Sequence, residues 1–301
     1  MIDRRFAGLA TKALLDISRD QAERLGHEAV AVAECGRYTA PSGATVAIAH
    51  LIERACERTV EYGPYHDWSP PPARRAEGPR IEVACETSLS AARRLREDGL
   101  APTVLNFASA TTPGGGFLSG ARAQEEYLAR SSGLHACLIG PRVTMYAAMR
   151  ARKDPFYADY VIHSPGVPVF RDDSGKFLEE SWTCDMLTSP AVHAKGVRKY
   201  CPEREGEIAR AMRRRIGCVL AIAAEQGCRA LVLGAWGCGA FGNDSTTIAR
   251  LFREELDAYA GVFTRVVFAV TDWSPERRFI GPFEREFGGT TRPLALDGDV
   301  P

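Results

Sequence analysis

The sequence predicts an α/β fold in which a sheet is sandwiched between helices. Short apolar runs typical of buried strands, such as residues 103–107 and 230–233, alternate with longer segments that have helical apolar spacing. Both runs lead directly into glycine-rich stretches that precede helices, and open α/β sheets bind ligands at such strand ends. The composition, with 45% hydrophobic and 25% charged residues, is that of a globular protein.

The amino-terminal part is predicted to be helical. Apolar residues recur with helical spacing over residues 3–34 and over residues 42–62, and residues 63–79 are rich in proline, glycine and arginine. We therefore expect an extension that is joined to the core by a linker. The expected division is an N-terminal helical extension and linker at 1–79, a catalytic core at 80–292 and a flexible tail at 293–301.

The core is predicted to alternate strands and helices, which places the strands in one sheet and the helices on its faces. Strands are predicted at residues 81–84, 103–107, 160–163, 167–170, 183–187, 230–233 and 265–270. Helices are predicted at residues 88–96, from about 121, at 205–225 and at 245–259.

The charge balance and the cysteines exclude several classes of protein. Basic and acidic residues number 38 each, so the net charge of zero argues against bulk electrostatic binding to nucleic acid or to an anionic membrane. No apolar run approaches a membrane span, and the first ten residues lack the apolar core of a signal peptide. The nine cysteines form no Cys-x-x-Cys pair, so we expect a cytoplasmic protein without disulfides.

The histidines and cysteines also lack the spacing of metal ligands, so we expect neither a metal site nor a cofactor. His163 follows an apolar strand, and we expect it to be a hydrogen-bonded core or edge histidine. Cys238 lies in a glycine-rich loop, where a small side chain fits.

The stretch at residues 106–126, NFASATTPGGGFLSGARAQEE, combines a glycine triplet with a carboxylate pair. The glycines are Gly114, Gly115 and Gly116. Backbone without side chains can approach a ligand closely and present N–H groups to an anion. Glu125 and Glu126 follow in the first turn of the predicted helix, where they can supply an acid or a base beside that ligand.

A second glycine-rich loop, GAWGCGAFGND, follows the strand at residues 230–233. It contains a Gly-x-Gly-x-x-Gly pattern at Gly237, Gly239 and Gly242, so a dinucleotide-binding dehydrogenase is an alternative. However, Asp272 follows Gly242 by 30 positions, whereas the pattern requires an acidic residue after about 20. We expect both glycine loops to bind one ligand, with its diphosphate at the helix N-termini.

These segments resemble the poly(ADP-ribose) glycohydrolases in their compact bacterial form. The resemblance includes the glycine triplet, the spacer and the QEE at residues 124–126, and it continues in three other segments. These segments are GRY with PSG at residues 36–43, PVFRDD at residues 168–173 and GAWGCGAFGN at residues 234–243. Thr112 departs from the pattern, since many relatives have Asn before the Pro-Gly-Gly-Gly.

The resemblance implies a macrodomain fold and hydrolysis of the ribose–ribose bonds of poly(ADP-ribose) by a monomer without a cofactor. It assigns Glu126 as the acid that protonates the leaving oxygen and then as the base that deprotonates water. It assigns Glu125 to the ribose hydroxyls, Gln124 to support of the site and Phe241 to the ribose at the reacting end. The substrate-binding residues implied are Asn106, Gly114, Gly115, Gly116, Gln124, Gly237, Cys238, Gly239, Ala240, Phe241 and Gly242.

Three details of the function stay open at this level. A macrodomain that binds ADP-ribose without cleaving it is an alternative, although binding alone does not need an acid such as Glu126. Hydrolysis of mono-ADP-ribose from a protein is another alternative, because it differs only in the leaving group. Relatives of this type release units from the free chain end, so we expect exo-acting cleavage.

Overall fold

The computed structural model describes residues 15–68 and 78–288, and its centre is a mixed sheet of seven strands. In sequence order the strands of the protein are β1 (Arg37–Thr39), β2 (Thr45–Ala47), β3 (Val60–Tyr62), β4 (Arg80–Ala84), β5 (Pro102–Phe107), β6 (Val161–Arg171), β7 (Phe177–Ser189), β8 (Ala230–Leu233) and β9 (Arg265–Ala269). The central sheet has the order β3-β6-β7-β5-β8-β9-β4, whereas β1 and β2 form a separate hairpin.

Helices cover both faces of the sheet. They are α1 (Arg19–Cys35), α2 (Ala49–Arg58), α3 (Ser88–Glu97), α4 (Gln124–Ser131), α5 (Leu134–Leu138), α6 (Met145–Arg152), α7 (Ala194–Tyr200), α8 (Ile208–Glu225), α9 (Ser245–Asp257) and α10 (Ile280–Phe287). None of the helices in the described ranges is both long enough and apolar enough to cross a membrane.

Alternating residues of the strands divide the core into two layers. Leu105 and Leu231 pack with α8, α9 and α10, whereas their neighbours Val104 and Val232 pack with α3, α4 and α6. Successive strand side chains point to opposite faces, so both faces of these fully apolar strands are buried. The predicted α/β sheet flanked by helices is confirmed.

The sheet directions bring the two glycine-rich loops together. β5 and β8 are adjacent and parallel, with Thr103 opposite Leu231. Their carboxyl ends therefore meet at the same edge of the sheet, and each is followed there by one of the loops. Antiparallel β6 and β3 complete one side of the sheet, so its order is not that of a dinucleotide-binding dehydrogenase.

The predictions for the amino-terminal part are wrong in two places. Within the described residues, the helix predicted at 3–34 is not continuous: Leu15 is helical, residues 16–18 are not, and the part from residue 19 is α1. Ser18 caps α1, which ends at Cys35 and is followed by Gly36 in a left-handed conformation, φ 66°. The helix predicted at 42–62 is instead β2, α2 and β3. β3 pairs with β6 at the edge of the central sheet, so the predicted extension supplies a strand to the core sheet.

Elsewhere the structure refines the predicted elements. The two extended segments at 160–163 and 167–170 form one strand, β6, and the helix predicted from about 121 begins at Gln124. The sequence analysis did not predict helices α5, α6, α7 and α10. The predicted flexible tail, most of the linker and the first part of the predicted first helix lie outside the described residues.

Candidate active site

A cavity of about 900 Å³ opens at the carboxyl edge of β5 and β8. Its volume falls in the range of small-molecule sites. The predicted site residues that line it are Gly115, Gly116, Gln124, Glu125, Glu126, Gly237, Gly239, Ala240 and Phe241. Four other predicted residues do not line it, namely Asn106, Gly114, Cys238 and Gly242. The two glycine loops and the carboxylate pair are thus assembled around one cavity.

The glycine triplet shapes its loop around the two carboxylates. Gly114 and Gly115 have left-handed φ angles of 71° and 62°, which favour glycine. A Cβ added to Gly115 would lie closer than 3.0 Å to side-chain oxygens of both Glu125 and Glu126. The N–H of Gly116 donates a hydrogen bond of 2.9 Å to Glu126 Oε1. Glycine at position 115 is therefore what allows both carboxyl groups to lie against the loop.

Gln124 forms hydrogen bonds that join the start of α4 to the end of β5. Its Oε1 accepts a 2.9 Å hydrogen bond from the Phe107 N–H, and its Nε2 donates to the Leu105 carbonyl at 2.8 Å and to Ser88 Oγ at 3.1 Å. The side chain thus continues the hydrogen-bond pattern of the strand. This contact fixes the two glutamates that follow it relative to the sheet.

Among the residues that the structure describes, each glutamate has one oxygen bound and one oxygen without a partner. Glu125 Oε2 accepts a 2.6 Å hydrogen bond from the Ser109 N–H, while Glu125 Oε1 and Glu126 Oε2 are buried and have no hydrogen-bond partner in residues 15–68 and 78–288. Burial raises the pKa of Glu125 well above its usual value, and the charge of Glu126 raises it further. The Ser109 N–H and the nearby Asn106 amide act in the opposite direction.

A partly buried polar network, which the sequence analysis did not predict, fixes the position of α4. The Asp173 carboxylate accepts hydrogen bonds from Thr87 Oγ1, from Ser90 Oγ at 2.7 Å and from the Tyr127 hydroxyl. Tyr127 is next to Glu126 in sequence, so the network fixes the helix turn that carries the glutamate. Asp173 lies in the segment PVFRDD, which was noted for its resemblance to a family but was given no role.

Arg130 is a second residue that sequence reasoning missed. It lies one turn beyond Glu126 on α4, is 4% exposed and lines the cavity. Its guanidinium lies over the Tyr127 ring at 5.7 Å from the centroid, and burial lowers its pKa. The i, i+4 spacing to Glu126 was the available signal. Arg130 brings a positive charge to a site with two carboxylates.

The second loop is closed by Asn243. The side chain of Asn243 donates to the Val192 carbonyl at 2.8 Å, and its N–H donates to the Gly237 carbonyl at 3.0 Å. A Cβ on Gly237 would lie closer than 3.0 Å to Asn243, and Gly237 has a left-handed φ of 74°. Gly239 differs, because a Cβ there would meet no atom of the described residues within 4 Å beyond its chain neighbours. Gly239 also lines the cavity.

Other predicted residues have packing roles in the structure. Cys238 is buried, and burial raises the pKa of its thiol to about 12. Trp236 is fully buried in the core. Asn106 is fully buried, and its amide donates to Thr188 Oγ1 at 3.2 Å. Phe241 is half-buried, and its ring lies 4.9 Å from that of His193.

The residues before α1 form one wall of the cavity. Arg122 donates a 2.6 Å hydrogen bond to the Ile17 carbonyl, and Arg19 Nε donates a 2.8 Å bond to the Ser119 carbonyl. Leu15 and Asp16 line the cavity beside the glycine triplet. This contact joins the amino-terminal part to the loop that carries the carboxylate partners.

Comparison with known families gives a match over the amino-terminal half of the chain. The family described as "Microbial-type PARG, catalytic domain" matches residues 26–172, which include the glycine triplet and the glutamate pair. The second glycine loop lies beyond that match. The comparison with curated proteins gave no match.

Three solved structures are similar over most of the chain. Poly(ADP-ribose) glycohydrolase (PARG) from Thermomonospora curvata is 45% identical, with a TM-score of 0.83, and the match covers 89% of this chain and 100% of that one. The same protein bound to the inhibitor ADP-HPD is 47% identical over the same shares, with a TM-score of 0.81. PARG from Deinococcus radiodurans in complex with ADP-ribose is 41% identical, with a TM-score of 0.74, over 79% of this chain and 97% of that one.

Proposed function

We propose that the protein hydrolyses the ribose–ribose bonds of poly(ADP-ribose) and releases ADP-ribose. The chain belongs to the family of microbial-type poly(ADP-ribose) glycohydrolases. One observation carries the proposal. Two buried carboxylates lie against Gly115 in a ligand-sized cavity, and each keeps one oxygen without a partner in the described residues. Glycoside hydrolysis needs an acid, a base and stabilisation of an oxocarbenium-like centre, and binding alone would not need such a pair.

Glu126 is the acid and base of the proposed reaction. The Gly116 N–H holds Oε1 and so fixes the plane of the carboxyl group, which leaves Oε2 for the substrate. A proton on Oε2 passes to the leaving ribose oxygen while the glycosidic bond breaks. The carboxylate then takes a proton from the water that attacks the anomeric carbon. Arg130 stabilises the ionised carboxylate between these two steps.

Glu125 orients the ribose in this proposal. It is the more deeply buried of the pair, with 4% exposure against 8% for Glu126. The Ser109 N–H already donates to Oε2, whereas Oε1 has no partner in the described residues and is the oxygen that binds a ribose hydroxyl. Its raised pKa lets it share a site with a second carboxylate, since two adjacent ionised groups would repel each other.

The second glycine loop binds the diphosphate. Gly239 leaves room for a phosphate beside the backbone, and the loop leads into α9, whose N-terminus favours negative charge. Phe241 lies between this loop and the α7 side of the cavity, where its ring packs against the reacting ribose. The Gly-x-Gly-x-x-Gly pattern thus serves the same ligand as the glutamates, and the dehydrogenase alternative is wrong for this family.

The test incubates the purified protein with poly(ADP-ribose) and, separately, with mono-ADP-ribosylated protein, and the products are identified by mass spectrometry. We expect ADP-ribose from the polymer, and Glu126→Gln should reduce turnover by about two to four orders of magnitude while ADP-ribose affinity stays near wild type. Glu97→Gln, at an exposed carboxylate on α3, is the control. Release of ADP-ribose from the mono-modified protein alone would instead support the mono-ADP-ribosyl hydrolase. Near-normal turnover in Glu126→Gln would contradict the assignment of Glu126 as the acid and base.

The contact of residues 15–19 with the loop at 119–122 supports exo-acting cleavage, because Leu15 and Asp16 form part of the cavity wall there. Early time points should then show free ADP-ribose beside nearly full-length polymer. Arg122→Ala, which removes the bond to Ile17, should increase the share of mid-length oligomers. Arg142→Ala is its control, since Arg142 also donates to backbone carbonyls, of Cys56 and Glu57. An early ladder of oligomers from the wild type would contradict exo cleavage.

The remaining parts of the proposal concern the fold, the cellular compartment, the oligomeric state and the cofactor requirement of the enzyme. We propose a macrodomain fold for the core, with residues 1–79 as an extension whose β3 joins the sheet. All nine cysteines are free, which fits a reducing bacterial cytoplasm. We also propose a monomer that needs neither a metal nor a cofactor for catalysis, so activity should persist in EDTA.

A further inference from the structure

Three side chains of the kinds that bind metals meet on one face of the sheet. His163 lies on β6, Asp185 on β7 and Cys228 in the connection from α8 to β8. Their ligand atoms, a ring nitrogen, a carboxylate oxygen and Sγ, all lie within 4.8 Å of one another. In residues 15–68 and 78–288 this is the one such group of three His, Cys, Asp or Glu residues.

The sheet register explains why residues so distant in sequence meet. His163 lies opposite Leu187, two positions from Asp185, so both side chains point to the same face. Asp185 is the cross-strand partner of Thr103 at the start of β5, and Cys228 precedes the start of β8. The group therefore lies at the amino-terminal edge of these strands. The catalytic loops leave their other ends, roughly 13 Å away along β5.

The histidine nitrogen is the observation that points to a ligand. The sequence analysis expected a hydrogen-bonded histidine, but His163 Nε2 is buried and has no hydrogen-bond partner within the described part of the chain. The side chain is 6% exposed, and Nε2 lies 3.6 Å from Asp185 Oδ2, beyond a normal hydrogen bond. A buried polar atom without a partner is unfavourable unless another group binds it.

The geometry points to a zinc site formed by His163, Asp185 and Cys228. Zinc takes imidazole nitrogen, thiolate sulfur and carboxylate oxygen as ligands, and these three types are all present. A thiolate and a carboxylate would balance the two positive charges of the ion, so the loaded site would be neutral where it is buried. Asp185 has a side chain that is 39% exposed, which provides a path for the ion and room for a water as the fourth ligand.

Only a small movement is needed to complete the site. Bond lengths of about 2.0–2.3 Å in a tetrahedron place ligand atoms about 3.5 Å apart, so the widest pair must close by about 1 Å. The other oxygen of Asp185 is already held, because Oδ1 accepts a 2.8 Å hydrogen bond from the Gly166 N–H. That bond orients the carboxylate and directs Oδ2 towards the histidine.

The role of this site is to stabilise the folded state. An ion there would link the paired strands β6 and β7 to the connection before β8, which β5 separates from them in the sheet. Binding to the folded state alone raises the melting temperature in proportion to the logarithm of ion concentration. The ion is remote from Glu125 and Glu126, so turnover should not depend on it. The inference therefore stands or falls independently of the proposed hydrolase activity.

The experiment uses the full chain, freed of metal with EDTA and titrated with Zn²⁺, and with Co²⁺ as a spectroscopic probe. We expect one ion per chain, a thiolate-to-cobalt charge-transfer band and a melting temperature raised by several degrees. Cys228→Ser should abolish the band, and His163→Gln and Asp185→Asn should each lower the affinity at least tenfold. Cys184→Ser is the matched control, since Cys184 is a buried thiol of β7 on the opposite face of the sheet.

Two outcomes would overturn the inference. One is the absence of stoichiometric Zn²⁺ or Co²⁺ binding by the wild type, which would leave His163 and Asp185 as a plain polar pair. The other is unchanged affinity in Asp185→Asn and His163→Gln, which would place the ion elsewhere. If the His163→Gln variant fails to fold, the affinity of Asp185→Asn decides whether the ion binds here. That substitution is nearly isosteric, and the side chain at position 185 is only half-buried.

Discussion

In the first glycine loop, residues 112–120, a Cβ on Gly115 would meet two carboxylates. In the second loop, residues 236–242, a Cβ on Gly239 would meet no described residue within 4 Å other than its chain neighbours. The first loop is shaped by contacts inside the protein, and its glycine lets acid groups approach the backbone. The second loop has open space at Gly239 instead. The difference fits the proposed division of the site, in which the first loop positions the reacting groups and the second accommodates the substrate.

The Gly115→Ala variant is the strongest test of this difference between the two glycine loops. The new Cβ would displace both carboxyl groups, so turnover should fall about 100-fold or more, while binding of ADP-ribose falls much less. Steady-state kinetics and calorimetric titration with ADP-ribose measure the two effects. Gly43→Ala is the control for backbone strain, because Gly43 has a φ of 88° but open space around it. Equal losses in both variants would attribute the effect to strain alone.

Phe241→Ala tests whether the second loop also contributes to catalysis. The ring packs against His193 and Tyr157, and the Phe241 carbonyl accepts a hydrogen bond from the Lys195 N–H. Loss of the ring should loosen the loop beside the reacting ribose, so kcat should fall roughly tenfold and KM should change less. Ile139→Ala, at an exposed apolar residue, is the control. Wild-type kinetics in Phe241→Ala would make the ring a packing residue only.

Gly239→Ala should produce a smaller effect that is confined to binding. The added methyl would project into open space, so the melting temperature should stay unchanged while ADP-ribose affinity falls several-fold through loss of room for the phosphate. Gly206→Ala is matched to it, since Gly206 also has open space and no left-handed φ. If the Gly239 variant binds ADP-ribose like the wild type, the second loop does not approach the ligand there.

The smallest expected effect is on stability and concerns Glu125 in the first loop. Burial raises the pKa of this carboxyl group, so its contribution to stability is fully present below the unfolded pKa near 4.3 and is lost as pH rises through the folded pKa. Glu125→Gln cannot ionise, so its melting temperature should exceed that of the wild type by about a few degrees at pH 8 and by less at pH 5. A difference that does not change with pH would contradict the raised pKa.

The local parts of the site could be predicted from the sequence. The glycine triplet and the glutamate pair are separated by only eight residues, and both follow an apolar strand, so their spacing alone placed them together. The same reasoning failed for Asp173, because its contact to Tyr127 depends on how α4 packs against the end of β6. Arg130 was missed although its helical spacing from Glu126 was available. Short elements also escaped detection, since three-residue strands such as β3 carry too little periodicity to be distinguished from a helix.

The sequence by itself determined most strands of the core, the order of the glycine loops and the place of the glutamate pair after the first loop, because these depend on residue type and near neighbours. The tertiary structure alone decided which oxygen of each glutamate is hydrogen-bonded and which has no partner in the described residues. It also decided that Cys238 faces the core rather than the cavity. It brought His163 to Asp185 and Cys228 across three elements. Such contacts follow from strand pairing and burial, and sequence spacing carries no record of which side chains meet across a sheet.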